Sequence, residues 1–457
     1  MPKQINKHEE TSVKPRNSDT PTPRHSLAVL GLWHQGVVAA ACLADFGHDV
    51  VAADGDAKRV ADLNAGKAPL FEPGLDALLK KGLAGGGLRF VSDVAGAVRG
   101  RQAVLLTFDT PVDENDQSDL GGVFAAVDAI TPNLDNDTVI LVTAQVPVGT
   151  CDELARRIRE RRPGLKFGIA YSPENLRLGQ AIDRFMHPAL PVIGSDDPAV
   201  LDRVEQWFAP MGVKWARVDL RTAEMTKHAL NAFLATSVTF ANELGNLCDE
   251  VGADGHRIAE VLRLEPRVGP KAMLFPGLGF SGGTLARDLQ TLRGIGDHAG
   301  LDTLMLDGIW EANRRQNRLV LRKLTKAFGD TKGVEVTVLG LTYKPDTSTL
   351  RRSASLEIIA DLVGAGMRVR AHDPKADPAE VARHGEFRFC GDVYEALKGA
   401  QAAVLITGWA EYGKLDFARV KNVMARPLLI DVNNMLDAGQ LQKLGFTYLD
   451  VGRGRRT

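Results

Sequence analysis

Residues 26–54 read SLAVLGLWHQGVVAAACLADFGHDVVAAD, and this stretch decides the fold. A short apolar run ends at Gly31, a helical segment follows, and a second apolar run ends at Asp54. The order of strand, tight turn, helix and strand is a βαβ unit. Helical or turn segments separate further apolar strands predicted at 103–108, 138–144, 166–172 and 190–195. This alternation predicts an α/β domain, doubly wound, with a parallel sheet covered on both faces.

The turn after the first strand has the spacing of a dinucleotide-binding loop. Gly31 opens a G-x-W-x-x-G segment that ends at Gly36, and the following helix offers free N–H groups to a pyrophosphate. Trp33 takes the position where a second glycine normally lets the cofactor approach the backbone. A simple turn before a helix would fit the same residues.

Asp54 favours the dinucleotide interpretation. An acid that closes the second strand can accept hydrogen bonds from both ribose hydroxyls, and it repels a 2′-phosphate. Arg59 follows a few residues later, placed to stack on or pair near the adenosine. We therefore expect NAD rather than NADP as the cofactor.

The pattern changes at Asp219. Segment 219–254 contains no proline, is apolar on nearly every face and starts with a capping acid. It predicts one long helix, buried nearly all round, with further helices to about residue 328. A homodimer contact is the simplest way to cover such a helix.

Strand–helix alternation then resumes. The next strands are predicted at 334–345, 367–374, 402–407 and 427–432. This second βαβ region repeats the architecture of the first with different loops. The fold class is therefore α/β, with two Rossmann-like doubly wound domains joined by a long central helix.

Composition excludes several function classes. The 457 residues carry a formal net charge of -1 and are 44% hydrophobic, which gives no electrostatic case for nucleic acid or an anionic membrane surface. No apolar run reaches the roughly 18 residues of a membrane helix. Residues 1–24 are polar and rich in Pro, Ser and Thr, and we interpret them as a disordered tail. The cysteines are scattered, which argues against metal binding or disulfides and suits a reducing cytoplasm; they are Cys42, Cys151, Cys248 and Cys390.

A lysine and an amide on the long helix are the first candidates for chemistry. Lys227 and Asn231 are four residues apart and project from one helical face. An ammonium on an otherwise apolar helix is unfavourable unless a polar group meets it. Asp288 is the natural partner, either in a buried structural pair or in a site that handles an alkoxide and its proton.

Just before Asp288, segment 279–283 reads GFSGG, which favours a loop that closes on a ligand over a merely flexible one. We expect Phe280 and Gly282 to contact the substrate there.

Segments in order along nearly the whole chain from about residue 26 resemble the UDP-glucose/GDP-mannose dehydrogenase family. They are FEPGL (71–75), TP (110–111), VPVGT (146–150), SPENLRLG (172–179), AEMTKHALNAF (223–233), EPRVG (265–269), PGLGFSGGTLARDLQTL (276–292), GLTYKPDT (340–347) and DVNNML (431–436). Members oxidise the C6 alcohol of a nucleotide-linked hexose to a carboxylate with two NAD. The resemblance implies a tail at 1–25, an NAD-binding domain at 26–215, a central dimerisation domain at 216–330 and a nucleotide-sugar-binding domain at 331–457.

The resemblance also implies roles around the reacting carbon. Lys227 and Asn231 would hold and polarise the reacting oxygen. Asp288 would act with Lys227 in positioning water and moving the proton. Glu174 would be the acid/base of a later hydrolysis.

The resemblance implies further roles for residues farther from the reacting carbon. Lys344, preceded by Tyr343, would contact the sugar nucleotide. Arg267 would reach into the site of a neighbouring subunit of a homodimer, and Thr110 would lie beside the cofactor.

The sequence departs from the family at the nucleophile. The family's loop carries a cysteine where Thr284 stands here. A thiol with a pKa near ~8.5 can capture an aldehyde covalently, whereas a threonine hydroxyl would need a dedicated base. Three more departures concern the same pocket, at Gln145, Leu178 and Asn433. We infer that a cysteine thioester route is closed.

Three hypotheses follow. The first is an NAD-dependent oxidoreductase of nucleotide sugars that omits the thioester. The second is a complete 6-dehydrogenase reaction by a non-covalent route. The third is a protein that binds NAD or a nucleotide sugar with little turnover. A β-hydroxyacid dehydrogenase also places Lys and Asn four apart after a Rossmann domain, but it lacks the second such domain predicted here.

Overall fold

The computed structural model describes residues 23–112, 118–174, 176–280, 284–350 and 353–454. The chain forms two compact units. The first comprises Met1–Thr110 and Leu120–Glu224, and the second comprises Pro111–Asp119 and Met225–Thr457. Up to residue 22, the predicted N-terminal tail lies outside the described residues.

An eight-stranded sheet forms the centre of the first unit, in the order β3-β2-β1-β4-β5-β6-β7-β8. Its strands are β1 Ser26–Leu30, β2 Asp49–Ala53, β3 Leu88–Val91, β4 Ala103–Leu106, β5 Thr138–Val142, β6 Phe167–Tyr171, β7 Val192–Gly194 and β8 Ala216–Val218. All neighbours pair parallel except β6 and β7, which meet antiparallel at Tyr171 and Gly194. The predicted doubly wound sheet is confirmed, and one antiparallel contact is added to it.

Helices cover both faces of this sheet. They are α1 His34–Asp45, α2 Ala57–Asn64, α3 Leu75–Ala84, α4 Gly121–Ile130, α5 Thr150–Arg161, α6 Ala181–Met186 and α7 Pro198–Trp207. Two hydrophobic clusters fill the space between sheet and helices, one on each face. The central strand β5 is buried at every position, which is why its sequence, TVILV, shows no polar alternation.

The long predicted helix is α8, Leu220–Val251, and the second unit begins within it. Asp219 caps its start, because its Oδ1 accepts a hydrogen bond from the backbone N–H of Thr222 at 2.9 Å. The sequence predicted that this helix is buried nearly all round. Within one chain it is not. Phe233, Phe240 and Leu247, spaced seven residues apart, are 68%, 52% and 64% exposed. They form an apolar stripe along one side, called the α8 stripe below.

The second unit continues with helices and then a second sheet. The helices after α8 are α9 Gly255–Leu262, α10 Leu285–Ala299, α11 Leu304–Gln316, α12 Leu319–Phe328, α13 Ala354–Gly364, α14 Pro378–Val381, α15 Val393–Leu397, α16 Phe417–Val423 and α17 Ala438–Lys443. The strands are β9 Glu335–Leu339, β10 Arg368–His372, β11 Arg388–Phe389, β12 Ala402–Leu405, β13 Leu428–Asp431 and β14 Thr447–Leu449. They pair parallel in the order β11-β10-β9-β12-β13-β14, so the second Rossmann-like sheet is confirmed.

Each sheet reverses its strand order beside its first strand, at β1 and β4 in the first unit and at β9 and β12 in the second. Ligands of such sheets bind outside the carboxyl ends of the strands at this reversal. Within the described ranges, no helix combines the length and the apolar character needed to cross a membrane.

Candidate active site

Two glycines shape the turn after β1. Gly31 has φ +94°, and a Cβ there would lie 3.1 Å from the backbone nitrogen of Phe108. A Cβ on Gly36 would lie 1.9 Å from the carbonyl oxygen of Gly31. Any larger residue would therefore push the helix away from the strand, and the tight turn requires glycine at both ends.

The start of α1 is suited to an anion. Trp33 is the N-cap residue, with φ -86°, so its backbone needs no glycine. Its side chain makes no capping hydrogen bond, and the first turn carries no acid. The first turn therefore contributes no acid of its own to repel an anion at the helix start, as a pyrophosphate site requires.

Asp54 lies directly after β2 and is bound to this turn. Its Oδ2 accepts hydrogen bonds from the backbone N–H of Leu32 and from Nη1 of Arg59, both at 2.7 Å. The Arg59 guanidinium also lies 5.3 Å from the centroid of the Trp33 ring. Trp33, Asp54 and Arg59 are thus neighbours beside the glycine turn, an arrangement that would suit the pyrophosphate and a ribose of NAD.

Thr110 and Glu174 follow strands β4 and β6 of the same sheet. Thr110 is buried, and its hydroxyl donates to the carbonyl oxygen of Gln145 at 2.7 Å. Glu174 is half-buried, and its carboxylate accepts a hydrogen bond from the backbone N–H of Leu176. It lines a pocket in the first unit, whose other walls include Gln35, Thr143, Phe185, Phe208 and Trp215.

Glu72 is a residue whose role the sequence did not assign, although the FEPGL segment contains it. Its buried carboxylate accepts from Nε2 of His34 at 3.0 Å and from the backbone N–H groups of Gly179 and Ala181 at 2.9 and 2.7 Å. Burial alone would raise the pKa of Glu72, but these bonds hold it below its ordinary value. Glu72 therefore ties the segment after Glu174 to the first turn of α1.

The second unit brings two of the predicted catalytic residues into contact. Asp288, in the first turn of α10, is fully buried, and its Oδ2 accepts a hydrogen bond from Nδ2 of Asn231 on α8. Lys227 lies one turn before Asn231 and is also buried. An amide and a carboxylate thus meet where α8 approaches the start of α10, and Lys227 lies one turn earlier on the same face of α8.

His228 joins this group and was missed in the sequence. Its Nδ1 lies 2.8 Å from Oδ1 of Asp288, and its side chain is buried. The signal was present, since His228 is three residues before Asn231 and shares its side of the helix. A histidine beside a lysine gives no pattern by itself, so only the contact reveals it.

Amide side chains hold the glycine-rich segment before α10. Asn313 accepts from the backbone N–H of Phe280 at 2.7 Å and donates to its carbonyl at 3.0 Å. Asn242 accepts from the backbone N–H of Gly277 at 2.8 Å and donates to the carbonyl of Leu278 at 2.9 Å. Backbone groups of Gly277, Leu278 and Phe280 are thus held by amide side chains, which fixes the segment up to Phe280.

Thr284 and Gly282 belong to the continuation of that segment. Gly282 lies outside the described residues. Thr284 is exposed and directly precedes α10, where its carbonyl accepts from the backbone N–H of Asp288 at 3.2 Å. Thr284 and Asp288 are therefore one helical turn apart.

The remaining predicted residues lie elsewhere on the second unit. Tyr343 and Lys344 are exposed in the loop that follows β9. The Arg267 side chain is 87% exposed, and its Nε lies 2.9 Å from Oε1 of Glu265. Asn433 donates to the carbonyl of Ile406 at 2.8 Å.

All four cysteines are buried, and none is bonded to another. Burial raises the pKa of each thiol, that of Cys42 to about 12; the other three are Cys151, Cys248 and Cys390. A thiol with a raised pKa supplies little thiolate at neutral pH.

A sheet with a dinucleotide turn, a second sheet of the same type and a buried Lys–Asn–Asp group define a dinucleotide-dependent oxidoreductase. Sequence comparison specifies it further. The chain matches the UDP-glucose/GDP-mannose dehydrogenase family in its NAD binding domain (25–212), central domain (221–315) and UDP binding domain (337–438). The chain belongs to this family and is an NAD-dependent nucleotide-sugar dehydrogenase.

Individual relatives cover almost the whole chain. UDP-glucose 6-dehydrogenase of Rhizobium meliloti (strain 1021) is 37% identical over 93% of this chain and 99% of its own length. UDP-glucose 6-dehydrogenase TuaD of Bacillus subtilis is 33% identical, over 93% of both chains. The structure of a UDP-glucose dehydrogenase from Pyrobaculum islandicum superposes with a TM-score of 0.81 at 30% identity, over 96% of this chain and 99% of the other.

Proposed function

We propose that this enzyme oxidises a CH–OH group of a nucleotide diphosphate sugar without forming a cysteine thioester. The observation that carries the proposal is the contact between Asn231 and Asp288, on the helical face that Lys227 shares. UDP-sugars are the first substrates to test, because the family's UDP binding domain matches residues 337–438.

The chemistry of these residues suits the oxidation of an alcohol. NAD, when bound, supplies the hydride acceptor. The ammonium of Lys227 and the amide of Asn231 donate hydrogen bonds to the reacting oxygen and stabilise negative charge on it. Asp288 accepts the hydroxyl proton, and its burial keeps bulk water from competing.

The absence of a thioester rests on two features. Thr284 stands where the resemblance to the family implies a cysteine, and its hydroxyl is a far weaker acid than a thiol. The cysteines present are buried with raised pKa values, so none offers a ready thiolate. Water, rather than a protein sulfur, would then add to an aldehyde if a second oxidation follows.

The other predicted residues complete the proposal. Glu174, beside the pocket of the first unit, would guide that water as an acid/base. Tyr343 and Lys344 are exposed after β9, where an aromatic face and an ammonium can meet a nucleotide diphosphate. Thr110, with its hydroxyl fixed on Gln145, would border the cofactor.

A homodimer is part of the proposal. The α8 stripe exposes Phe233, Phe240 and Leu247 in a row, and a second copy of this helix is the partner that covers such a row most simply. Arg267, on an exposed turn, would then reach the partner's site. Light scattering should report a dimer for the native chain and a monomer for Phe240→Asp; a native monomer would contradict this.

The main test counts electrons. The enzyme is incubated with NAD and UDP-, GDP- or dTDP-linked sugars, and NADH absorbance is followed together with the mass of the product. One NADH per sugar indicates an aldehyde or ketone, and two indicate a carboxylate made without the thioester. Nucleotide-sugar binding without NADH, unchanged in Lys227→Ala, would show a binding protein and overturn the proposal.

A second test addresses the nucleophile. Alkylation of cysteines under native conditions should leave NADH formation intact, and Thr284→Ala should retain the first oxidation. Thr284→Cys should instead form an adduct with an aldehyde substrate, visible in the mass of the intact protein. Inactivation by alkylation, with a labelled cysteine, would refute the route without a thioester.

A further inference from the structure

His228 is a titratable group in contact with Asp288 that the proposed reaction does not yet use. Its Nδ1 lies 2.8 Å from Oδ1 of Asp288, while Asn231 binds the other oxygen, Oδ2. An ionised carboxylate only accepts hydrogen bonds, so Nδ1 carries the hydrogen and donates it. The two donors come from the same helix and take one oxygen each.

This arrangement fixes the orientation of the carboxylate. The terminal torsion of an aspartate is broad, and a single donor leaves the group free to turn about it. Donors on both oxygens define the plane of the carboxylate relative to α8. Asp288 is fully buried, so each bond forms without competition from water.

The orientation matters because of what lies on the same helix. Lys227 and Asn231 project from one face of α8, and Asp288 has to present an oxygen to the proton of the group they hold. A misplacement of about 1 Å in a reacting group can reduce a rate about 100-fold. A donor that fixes this carboxylate therefore acts on the rate rather than on substrate binding.

We propose that His228 is a positioning residue for Asp288, whose Nδ1–H hydrogen bond holds the carboxylate in the orientation in which it accepts the substrate's proton. The proposal rests on the proposed function for its rate effect, and on the geometry alone for the orientation. Asn at position 228 should preserve the function of His, because its amide N–H can occupy the place of Nδ1–H and donate to Asp288. Leu should fill the space without donating.

The test compares His228→Leu with His228→Asn. We expect His228→Leu to lower kcat about 10- to 100-fold with KM for the nucleotide sugar nearly unchanged, since the lost interaction serves the transition state. His228→Asn should restore most of kcat. Equal kcat values for the native enzyme and His228→Leu would overturn the proposal, and so would an equally low kcat in both variants.

His256→Leu is the matched control. His256 lies on α9, and its Nε2 is 2.6 Å from Nδ2 of Asn434, so the variant also loses a side-chain hydrogen bond of an imidazole. If it lowered kcat as much as His228→Leu, the effect would be a general loss of packing, and the positioning role would be wrong.

Crystal structures of the two His228 variants separate this proposal from the proposed function. Asp288 should turn away from Asn231 in His228→Leu and keep its orientation in His228→Asn. An unmoved carboxylate in His228→Leu refutes the positioning role, whether or not the native enzyme forms NADH. A turned carboxylate in a protein that oxidises no nucleotide sugar supports the positioning role and refutes the proposed function.

Discussion

The two sheets contain the same local turn after their first strand, but the residues around that turn differ. Gly31 after β1 and Gly340 after β9 have φ values of +94° and +95°. In both units the acid after the next strand, Asp54 or Asp373, accepts a hydrogen bond of 2.7 Å from the backbone N–H of the residue that follows the glycine. The two turns are local structural equivalents.

What surrounds each acid is different. Asp373 also accepts from the N–H and hydroxyl of Thr342, at 2.9 and 3.0 Å, and from Nε1 of Trp409 at 3.2 Å. Asp54 has the half-buried neighbour Arg59 instead. Moreover, α1 begins at His34, directly after the first turn, whereas the loop 341–353 separates Gly340 from α13. The first turn is open to a pyrophosphate at a helix start, and the second is closed around a structural carboxylate.

The comparison is tested most strongly by Asp373→Ala. Removing this carboxylate leaves the buried N–H groups of Leu341, Thr342 and Ala376 without their acceptor, and each costs about 1–3 kcal/mol. We expect a loss of about 3–5 kcal/mol in the free energy of unfolding, measured by urea denaturation. Folded variant protein should still bind NAD. A stable variant with weakened NAD binding would reverse the assignment of the two acids.

Substitution of the turn glycine should likewise lower the free energy of unfolding more in the second unit than in the first. A Cβ on Gly340 would lie 2.6 Å from the backbone nitrogen of Thr407, whereas on Gly31 the corresponding distance to Phe108 is 3.1 Å. Gly340→Ala should therefore lower the free energy of unfolding by about 3 kcal/mol, from backbone strain plus overlap, and Gly31→Ala by about 1–2 kcal/mol. Equal losses in thermal denaturation would show that the two turns are equally crowded.

Asp54→Ala is expected to act on the cofactor instead. A hydrogen bond to a charged group is worth about 1.5–3 kcal/mol, so the Kd for NAD should rise about 10- to 100-fold, measured by calorimetry. Arg59 then loses its nearer acid and keeps only Asp56, whose Oδ2 is 3.5 Å from its Nη2, so the preference for NAD over NADP should shrink. An unchanged Kd would mean that the ribose does not meet Asp54.

The smallest effect concerns pH. Burial alone would raise the pKa of Asp373, but backbone and side-chain hydrogen bonds led by Thr342 hold it below its ordinary value. Because the folded pKa is the lower one, this group's contribution to stability is complete above the unfolded pKa of about 3.9 and is lost as pH falls through the folded value. Native protein should therefore lose more stability than Asp373→Asn as the pH falls from about 3.9 through the folded pKa. Identical slopes in urea denaturation would contradict this.

The sequence predicted both sheets because their strands are apolar runs that end in turn residues. The glycine spacing and Asp54 predicted the first turn, and the spacing of Lys227 and Asn231 predicted their common face. These are local patterns, fixed by the period of a helix or by the reach of a tight turn. The contact of Asn231 with Asp288 pairs residues far apart in the chain; the sequence suggested Asp288 as the partner of Lys227, and the structure shows its contact with Asn231.

Other features had no local pattern. Strands β3, β8, β11 and β14 are short and were not predicted. The sequence predicted that the apolar residues of the α8 stripe are buried. Their residue types alone do not tell whether the residues that bury them belong to the same chain or to a second one. Glu72 and His228 each bind partners brought close only by folding.

The sequence by itself determined the α/β architecture, the glycine turn and the residue types of the site, because each depends on neighbours within a few positions. Tertiary structure decided which of the two turn carboxylates, Asp54 or Asp373, is enclosed by further hydrogen-bond donors. It also decided which donors hold Asp288. The physical reason is that a buried polar group is defined by the atoms packed around it, and those atoms come from segments that no short pattern connects.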